Sequence, residues 1–363
     1  LTGEAGQRVA LPCFISQLTQ SIKEISMRLK LLGPSGLRVS EFCLGTMTFG
    51  TAWGWGADRE TSRALFAAFE AAGGNFIDTA NNYTDGESEH LVGEFIRDAR
   101  DRYVVASKYT LRNKAGDPHD VNQGGNSRKS MLRSVERSLK ALQTDYLDLL
   151  YLHMWDFTTP VDEVLLGVRD LIASGKVLYF AFSDTPAWVV SYALAKAECF
   201  GWPKPVALQI PYSVLSRTVE RAELPMARTH GLAILPWGIL SGGTLTGKYR
   251  QASDEPRRDR GTSERELMAG DVIVELARVL GHTPAQVCLN WVRQQPGLIL
   301  PILGARTPTQ LADNLGCLDW QLPDDALSRL DAIADFQPGF PNSFLHSDHV
   351  RGLIFGDSYA RLC

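Results

Sequence analysis

Phe76-Ile77-Asp78-Thr79-Ala80-Asn81-Asn82-Tyr83 is the stretch on which the fold turns: a short apolar run ends in a carboxylate, and a phenol follows five residues later. Two further runs repeat the plan, Val104-Val105-Ala106-Ser107-Lys108 and Leu149-Leu150-Tyr151-Leu152-His153. Continuous apolar runs this short read as strands of a parallel sheet covered on both faces. In a closed parallel barrel every strand ends on the same face, so polar residues at strand ends meet at one mouth. An acid (Asp78), a phenol (Tyr83), an amine (Lys108) and an imidazole (His153) are expected to converge there.

Eight strand candidates alternate with helical patterns along the chain: 41–45, 76–78, 104–108, 146–153, 177–182, 207–212, 233–237 and 299–303. A helix over 59–72 places Leu65, Phe66 and Phe69 on one side and stops at Gly73-Gly74. Another over 128–142 repeats Met131, Val135, Leu139 and Leu142 at helical spacing. The segment 160–174 begins with proline and ends before Gly175, and Thr283-Pro284 opens a further helix. The alternation predicts an α/β chain with a single (β/α)8 TIM barrel over residues 27–335. Residues 1–26 do not join the pattern and lack the basic start and apolar core of a signal peptide. Met27 is the expected native start, with 1–26 an upstream extension or, alternatively, a docking segment. Three stretches interrupt the rhythm: a polar loop over 111–127, a mixed-charge segment over 250–266 expected to be mobile, and an aromatic tail over 336–363 expected to cover the substrate pocket.

Of the 363 residues, 44% are hydrophobic and 21% charged, and the net charge is −4, an ordinary globular balance that gives no reason to expect nucleic acid or anionic membranes as partners. No apolar run approaches the roughly 18 residues of a membrane span. The six cysteines are scattered without CxxC spacing and read as reduced thiols of a cytoplasmic protein. A small-molecule partner is expected; a homo-oligomer stays open.

Taken singly, Asp78 reads as a cap or loop ion pair, Lys108 as a solvated strand end and His153 as a structural histidine. Their order on three successive strands favours chemistry. An Asp78–Lys108 pair would keep the ammonium charged beside Tyr83, and a nearby cation lowers a phenol's pKa while burial raises it. Such a phenol can protonate a carbonyl oxygen, and His153 can hydrogen-bond that carbonyl. The seven histidines show neither HxH nor HExxH spacing, so metal catalysis is not expected. No GxGxxG follows the first strand. Instead Pro301-Ile302-Leu303-Gly304-Ala305-Arg306-Thr307 leaves the last strand and opens a helix, whose amides together with Arg306 can hold phosphate; Gln310, Asp313 and Asn314 follow on that helix. Trp53, Trp55, Tyr109, Trp155 and Phe157 lie near strand ends and would line an apolar substrate pocket, the bland alternative being barrel-end packing.

These segments carry a resemblance. With Leu44-Gly45-Thr46-Met47, Gly86-Glu87-Ser88-Glu89, Gln209-Ile210-Pro211-Tyr212-Ser213 and Leu245-Thr246-Gly247-Lys248-Tyr249 added, the chain resembles the aldo-keto reductases over about 27–320, in appearance nearest the bacterial aryl-alcohol dehydrogenase-like branch. The resemblance implies NADP(H)-dependent, reversible reduction of an aldehyde or ketone, with Tyr83 the general acid and base, Lys108 and Asp78 tuning it and His153 orienting the carbonyl. It implies a nicotinamide stacked on Tyr212, its carboxamide held by Ser183, Asp184 and Gln209, and further cofactor contacts from Gly45, Thr46, Met47, Trp237, Gly238, Leu240, Gly242, Lys248, Gly304, Arg306, Gln310, Asp313 and Asn314. Two positions depart from the family pattern: Asp184 stands where asparagine is usual, and Trp237-Gly238-Ile239-Leu240 replaces Tyr-Ser-Pro-Leu. Arg306 favours NADPH over NADH. Alcohol oxidation with NADP+, a cofactor-sensing regulatory subunit and, more weakly, a Schiff-base lyase or isomerase through Lys108 are the alternatives.

Overall fold

Strand parity, more than any single residue, places the side chains at the mouth. The computed structural model describes residues 26–114, 117, 119–250 and 261–361. Two short strands, β1 (Leu29–Leu31) and β2 (Arg38–Ser40), pair antiparallel. Eight parallel strands follow: β3 (Cys43–Gly45), β4 (Phe76–Asp78), β5 (Val104–Tyr109), β6 (Leu147–Leu152), β7 (Val177–Ser183), β8 (Ala207–Pro211), β9 (Ala233–Trp237) and β10 (Ile302–Leu303). Their order is β10-β3-β4-β5-β6-β7-β8-β9. The ring closes where Ile234 N donates to Leu298 O and Leu300 N to Ile234 O, both at 2.8 Å. The last run, expected as one strand over 299–303, is split at Pro301, which has no N–H to donate. Before it the chain pairs with β9, and beyond it with β3. This is the (β/α)8 barrel.

Between the strands run α1 (Arg59–Ala71), α2 (Glu87–Ile96), α3 (Arg128–Leu142), α4 (Val161–Ala173), α5 (Ala187–Phe200), α6 (Glu223–Thr229), α7 (Glu264–Leu280), α8 (Pro284–Arg293), α9 (Pro308–Leu315) and α10 (Asp324–Ile333). Asp58, Ser127, Thr283 and Thr307 each cap a helix with a side-chain oxygen. The mixed-charge segment over 250–266, expected to be mobile, is helical at its end. Residues 251–260 lie outside the described part, and the end of the segment opens α7 through a reciprocal Ser263–Glu266 capping box. The extension over 1–26 likewise lies outside it, save Ser26. The tail forms α11 (Asn342–Leu345) and α12 (Asp348–Phe355), fastened to the segment after β8 by Arg221 Nε donating to Pro338 O (2.7 Å) and Asn342 Nδ2 to Arg221 O (2.7 Å).

Two cores follow from period-two alternation. Leu44, Ile77, Val105, Leu150, Phe180, Phe182 and Leu208 pack against the helices. Cys43, Phe76, Val104, Ala106, Leu149, Tyr151, Ala181, Ala207 and Leu235 fill the barrel interior. The hairpin adds Leu32 and Val39 to that interior and stoppers its lower end. Its turn needs glycine at 33: φ is +58°, and a Cβ would sit 2.0 Å from Val206 O.

Candidate active site

Continuing the inward parity by one layer gives Gly45, Asp78, Lys108, His153, Ser183 and Gln209. Lys108 is fully buried. Its Nζ lies 2.5 Å from Asp78 Oδ2 and donates to Thr79 O (2.9 Å) and to Tyr83 Oη (3.0 Å). Gln209 Nε2 donates to the other carboxylate oxygen, Asp78 Oδ1, at 2.9 Å. A buried charge pair survives only when its polar atoms find partners, and here both carboxylate oxygens of Asp78 and the Lys108 ammonium do. Burial pulls the Lys108 ammonium down, but Asp78 and Tyr83 outweigh it and push it up to about 12.

Tyr83 stands on a short 3-10 turn after β4, its ring and that of His153 at 77° to each other with centroids 5.9 Å apart. The expectation that Lys108 would leave the phenol with a lowered pKa needs correcting. Burial is the larger effect, and despite Lys108 the phenol stays raised above its ordinary value of 10. Tyr83 therefore holds its proton at neutral pH, beside a cation able to stabilise the phenolate once the proton leaves. His153 is held well below its ordinary value by burial, then by Lys108, so its imidazole is neutral. Its Nδ1 is buried without a partner.

Around this centre the mouth is unevenly furnished. Ser183 is buried at the end of β7. Asp184, at φ +39°, accepts from Trp237 Nε1 (3.1 Å), and burial pushes its carboxyl up to about 6. Trp237 is 40% exposed at the end of β9, the ring there that remains available for stacking. Tyr212 does not fill that role. It is 1% exposed, its Oη donates to Glu220 (2.8 Å), and its ring packs against Trp291 on the helix side of the wall. Pro211 ends β8 inward, and the next residue turns outward. Tyr109 fails as a pocket residue for the same reason: with odd parity after Lys108, it is fully buried against the helices.

The phosphate-side residues separate similarly. Thr307 caps α9, and Arg306 N donates to Gln310 Oε1 (2.9 Å), leaving the basic helix start at the rim of the mouth. Asn314 Nδ2 reaches Gly304 O (3.5 Å) and braces that turn. Asp313 is used elsewhere. It accepts from Thr283 Oγ1 (3.1 Å) and Gln286 Nε2 (3.0 Å), stapling α9 to the start of α8. Thr46 is also structural, its hydroxyl donating to Asp78 O (3.0 Å) beneath the loops, while Met47 beside it is half-buried. After β9 the chain turns through Gly238 and Gly242 with Leu240 packed on the core. Gly243 has φ +92° and would place a Cβ 2.3 Å from Lys248 Nζ, so only glycine lets that lysine fold over the turn.

Trp53 and Trp55 pack on each other, centroids 5.6 Å apart, in the loop after β3. Trp155 is half-buried against the core, and Phe157 is 71% exposed at φ +57°. Sequence reasoning missed the bond from Gln209 to Asp78. The signal was available in parity, since Gln209 falls on the inward layer of β8.

With this geometry described, comparison with known proteins gives a match to the aldo/keto reductase family over residues 41–335. The chain belongs to the aldo/keto reductase family. It is 39% identical to norsolorinic acid reductase B of Dothistroma septosporum over 89% of this chain and 85% of that one. It is 38% identical to norsolorinic acid reductase of Aspergillus flavus, over 87% and 83%. It is 37% identical to aryl-alcohol dehydrogenase [NADP(+)] of Phanerodontia chrysosporium, over 89% and 87%. These three relatives are fungal, and the aryl-alcohol dehydrogenase among them agrees with the aryl-alcohol dehydrogenase-like resemblance. The chain is thus an oxidoreductase of carbonyl and alcohol groups, and among the described residues no helix is long and apolar enough to cross a membrane.

Proposed function

We propose that this reductase protonates the carbonyl oxygen of an aryl or other bulky aldehyde or ketone through Tyr83, with reduction its main direction. The observation that carries the reading is the Lys108 ammonium 3.0 Å from Tyr83 Oη, itself fixed by Asp78. NADP(H) is the cofactor, in keeping with the family and with the relative whose name specifies NADP(+). The donor set suits it: Arg306 places a guanidinium at the start of α9, the kind of group that pairs with a phosphate, and Trp237 offers an exposed ring. The bound cofactor supplies hydride.

The chain's own residues manage the proton. Tyr83 enters protonated because burial keeps it so. As negative charge develops on the carbonyl oxygen, the Oη proton transfers to it, and the phenolate left behind is stabilised by Lys108 Nζ. Neutral His153 hydrogen-bonds the same oxygen and orients it. In the reverse direction the phenolate accepts the alcohol proton. The name of one relative, an aryl-alcohol dehydrogenase, supports an aromatic substrate.

Tyr83→Phe tests the assignment. Reduction of aryl aldehydes should fall about 100- to 10,000-fold in kcat, while NADPH binding, followed by fluorescence titration, holds within about twofold. Turnover that survives the substitution removes Tyr83 from the mechanism.

A further inference from the structure

The first turn of α2 packs behind the strand ends that carry Asp78 and Lys108, and it does so with polar side chains. At the starts of α4 and α5 the buried residues are Val161, Val164, Val189 and Val190. At the start of α2 they are Ser88 and Glu89. Contacts between helix and sheet are ordinarily apolar, because a buried polar atom costs free energy unless it is hydrogen-bonded. Two adjacent polar residues in such a contact bring directional bonds that apolar packing lacks.

Ser88 holds the ends of β3 and β4. Its Oγ donates to Thr46 O (2.8 Å) and lies 2.8 Å from Thr46 Oγ1 and 2.9 Å from Thr79 Oγ1. Thr46 N and Thr46 Oγ1 both donate to Asp78 O, at 2.9 and 3.0 Å. The carbonyl of Thr79 is the one that accepts from Lys108 Nζ (2.9 Å). Ser88 N donates to Thr84 Oγ1 (3.1 Å), next to Tyr83 on the turn that leads into α2. Glu89 holds β5. Ser107, the neighbour of Lys108, donates from Oγ to Glu89 Oε1 (2.5 Å). Ser138 of α3 hydrogen-bonds the same carboxyl, which burial pushes above the usual glutamate range against both bonds. Thr46, Thr79, Ser88 and Ser107 are all fully buried, so bulk water does not compete for these bonds.

We propose that Ser88 and Glu89 are positioning residues for the proton transfer: from one helical turn they fix the spacing of the Asp78 carboxylate, the Lys108 ammonium and the Tyr83 phenol. The inference deepens the carbonyl-reductase reading and rests on it. Both residues act through others, Ser88 through Thr46 and Thr79, Glu89 through Ser107. A satisfied buried network admits one geometry, whereas an apolar contact can slide. A displacement of about 1 Å between reacting groups is enough to cost about 100-fold in rate.

The test compares Ser88→Ala, Glu89→Leu and Glu89→Gln in the full chain, with benzaldehyde and NADPH as probes. In Ser88→Ala and Glu89→Leu kcat should fall about 10- to 100-fold, while benzaldehyde KM and NADPH Kd hold within about twofold. Glu89→Gln keeps an oxygen for Ser107 and offers an amide to Ser138, so its kcat should return to within about threefold of the original chain. Leu32→Ala, at the far end of the barrel, shows what lost stability alone does to kcat, and there kcat should hold within about twofold. Where Glu89→Leu does not fold, Ser107→Ala cuts the same bond from the strand side and carries the same expectation. Four results would overturn the inference: unchanged kcat in the folded variants, KM or Kd rising in step with the fall in kcat, Glu89→Gln as slow as Glu89→Leu, or an equal loss in Leu32→Ala. Failure of the carbonyl-reductase reading would appear separately, as turnover that survives Tyr83→Phe.

Discussion

Asp184 sits where an asparagine would carry no charge, and its environment resists the charge. Burial raises its carboxyl from 3.8 to about 6, against the Trp237 hydrogen bond and Lys108. Between those values the folded chain holds a proton that the unfolded chain has released, so stability falls as pH rises through that window. Above about pH 6 the ionised group is a standing cost. Asp184→Asn keeps an oxygen for the Trp237 indole and removes the charge. It should stabilise the protein by about 1–2 kcal/mol at about pH 8 and change little at about pH 3, where the wild-type group is protonated in the folded state and largely so in the unfolded one. Denaturant melts at the two pH values check this; an equal gain at both would show that charge is not the cause. At this scale Asp78, Lys108 and His153 were legible in sequence because each ends an apolar run, and Tyr83 because it follows Asp78 by five residues in the loop leaving the same strand. The direction of the Tyr83 shift was not, because it depends on how deeply the ring is buried, which no run of letters reports.

Among the elements, α9 divides into a basic start, proposed to hold the cofactor's phosphate, and a structural body. Arg306 stands at the start, and Asp313 is spent on Thr283 and Gln286 of the neighbouring helix. Arg306→Ala should weaken NADPH binding about 10- to 100-fold while leaving NADH within about threefold, since only the former carries the extra phosphate that a guanidinium pairs with. Asp313→Ala should lower unfolding free energy by about 1–2 kcal/mol and leave NADPH affinity within about twofold. Affinity titrations with both nucleotides, paired with urea melts, separate the two roles; an NADPH affinity that falls with Asp313 would restore it to the site. The helical period of α9 put both residues in view from sequence. Which of them faces α8 depends on how two helices pack, a relation between segments distant along the chain.

For the whole molecule, the barrel's lower end is closed by the β1–β2 hairpin, with Leu32 fully buried in the interior. Leu32→Ala should cost about 2–5 kcal/mol of stability, as large-to-small changes in closed cores do. It should leave aryl-aldehyde kcat/KM within about twofold below the melting temperature, because the mouth lies at the other end of the strands. A thermal melt beside an initial-rate assay decides it, and a fall in kcat/KM without a fall in stability would mean that the two ends are coupled. The sequence by itself determined the eight-strand alternation, the common mouth and the identities of Asp78, Tyr83, Lys108 and His153, since period and run length are local properties. It also showed the basic helix start at Arg306. Only the tertiary structure decided that Tyr212 and Tyr109 face the helices while Trp237 faces the mouth. It likewise decided that Gln209 completes the Asp78–Lys108 pair. Each of these depends on which way a side chain leaves a closed, twisted sheet and on what distant segment it meets there, and closure is a property of the whole ring of strands.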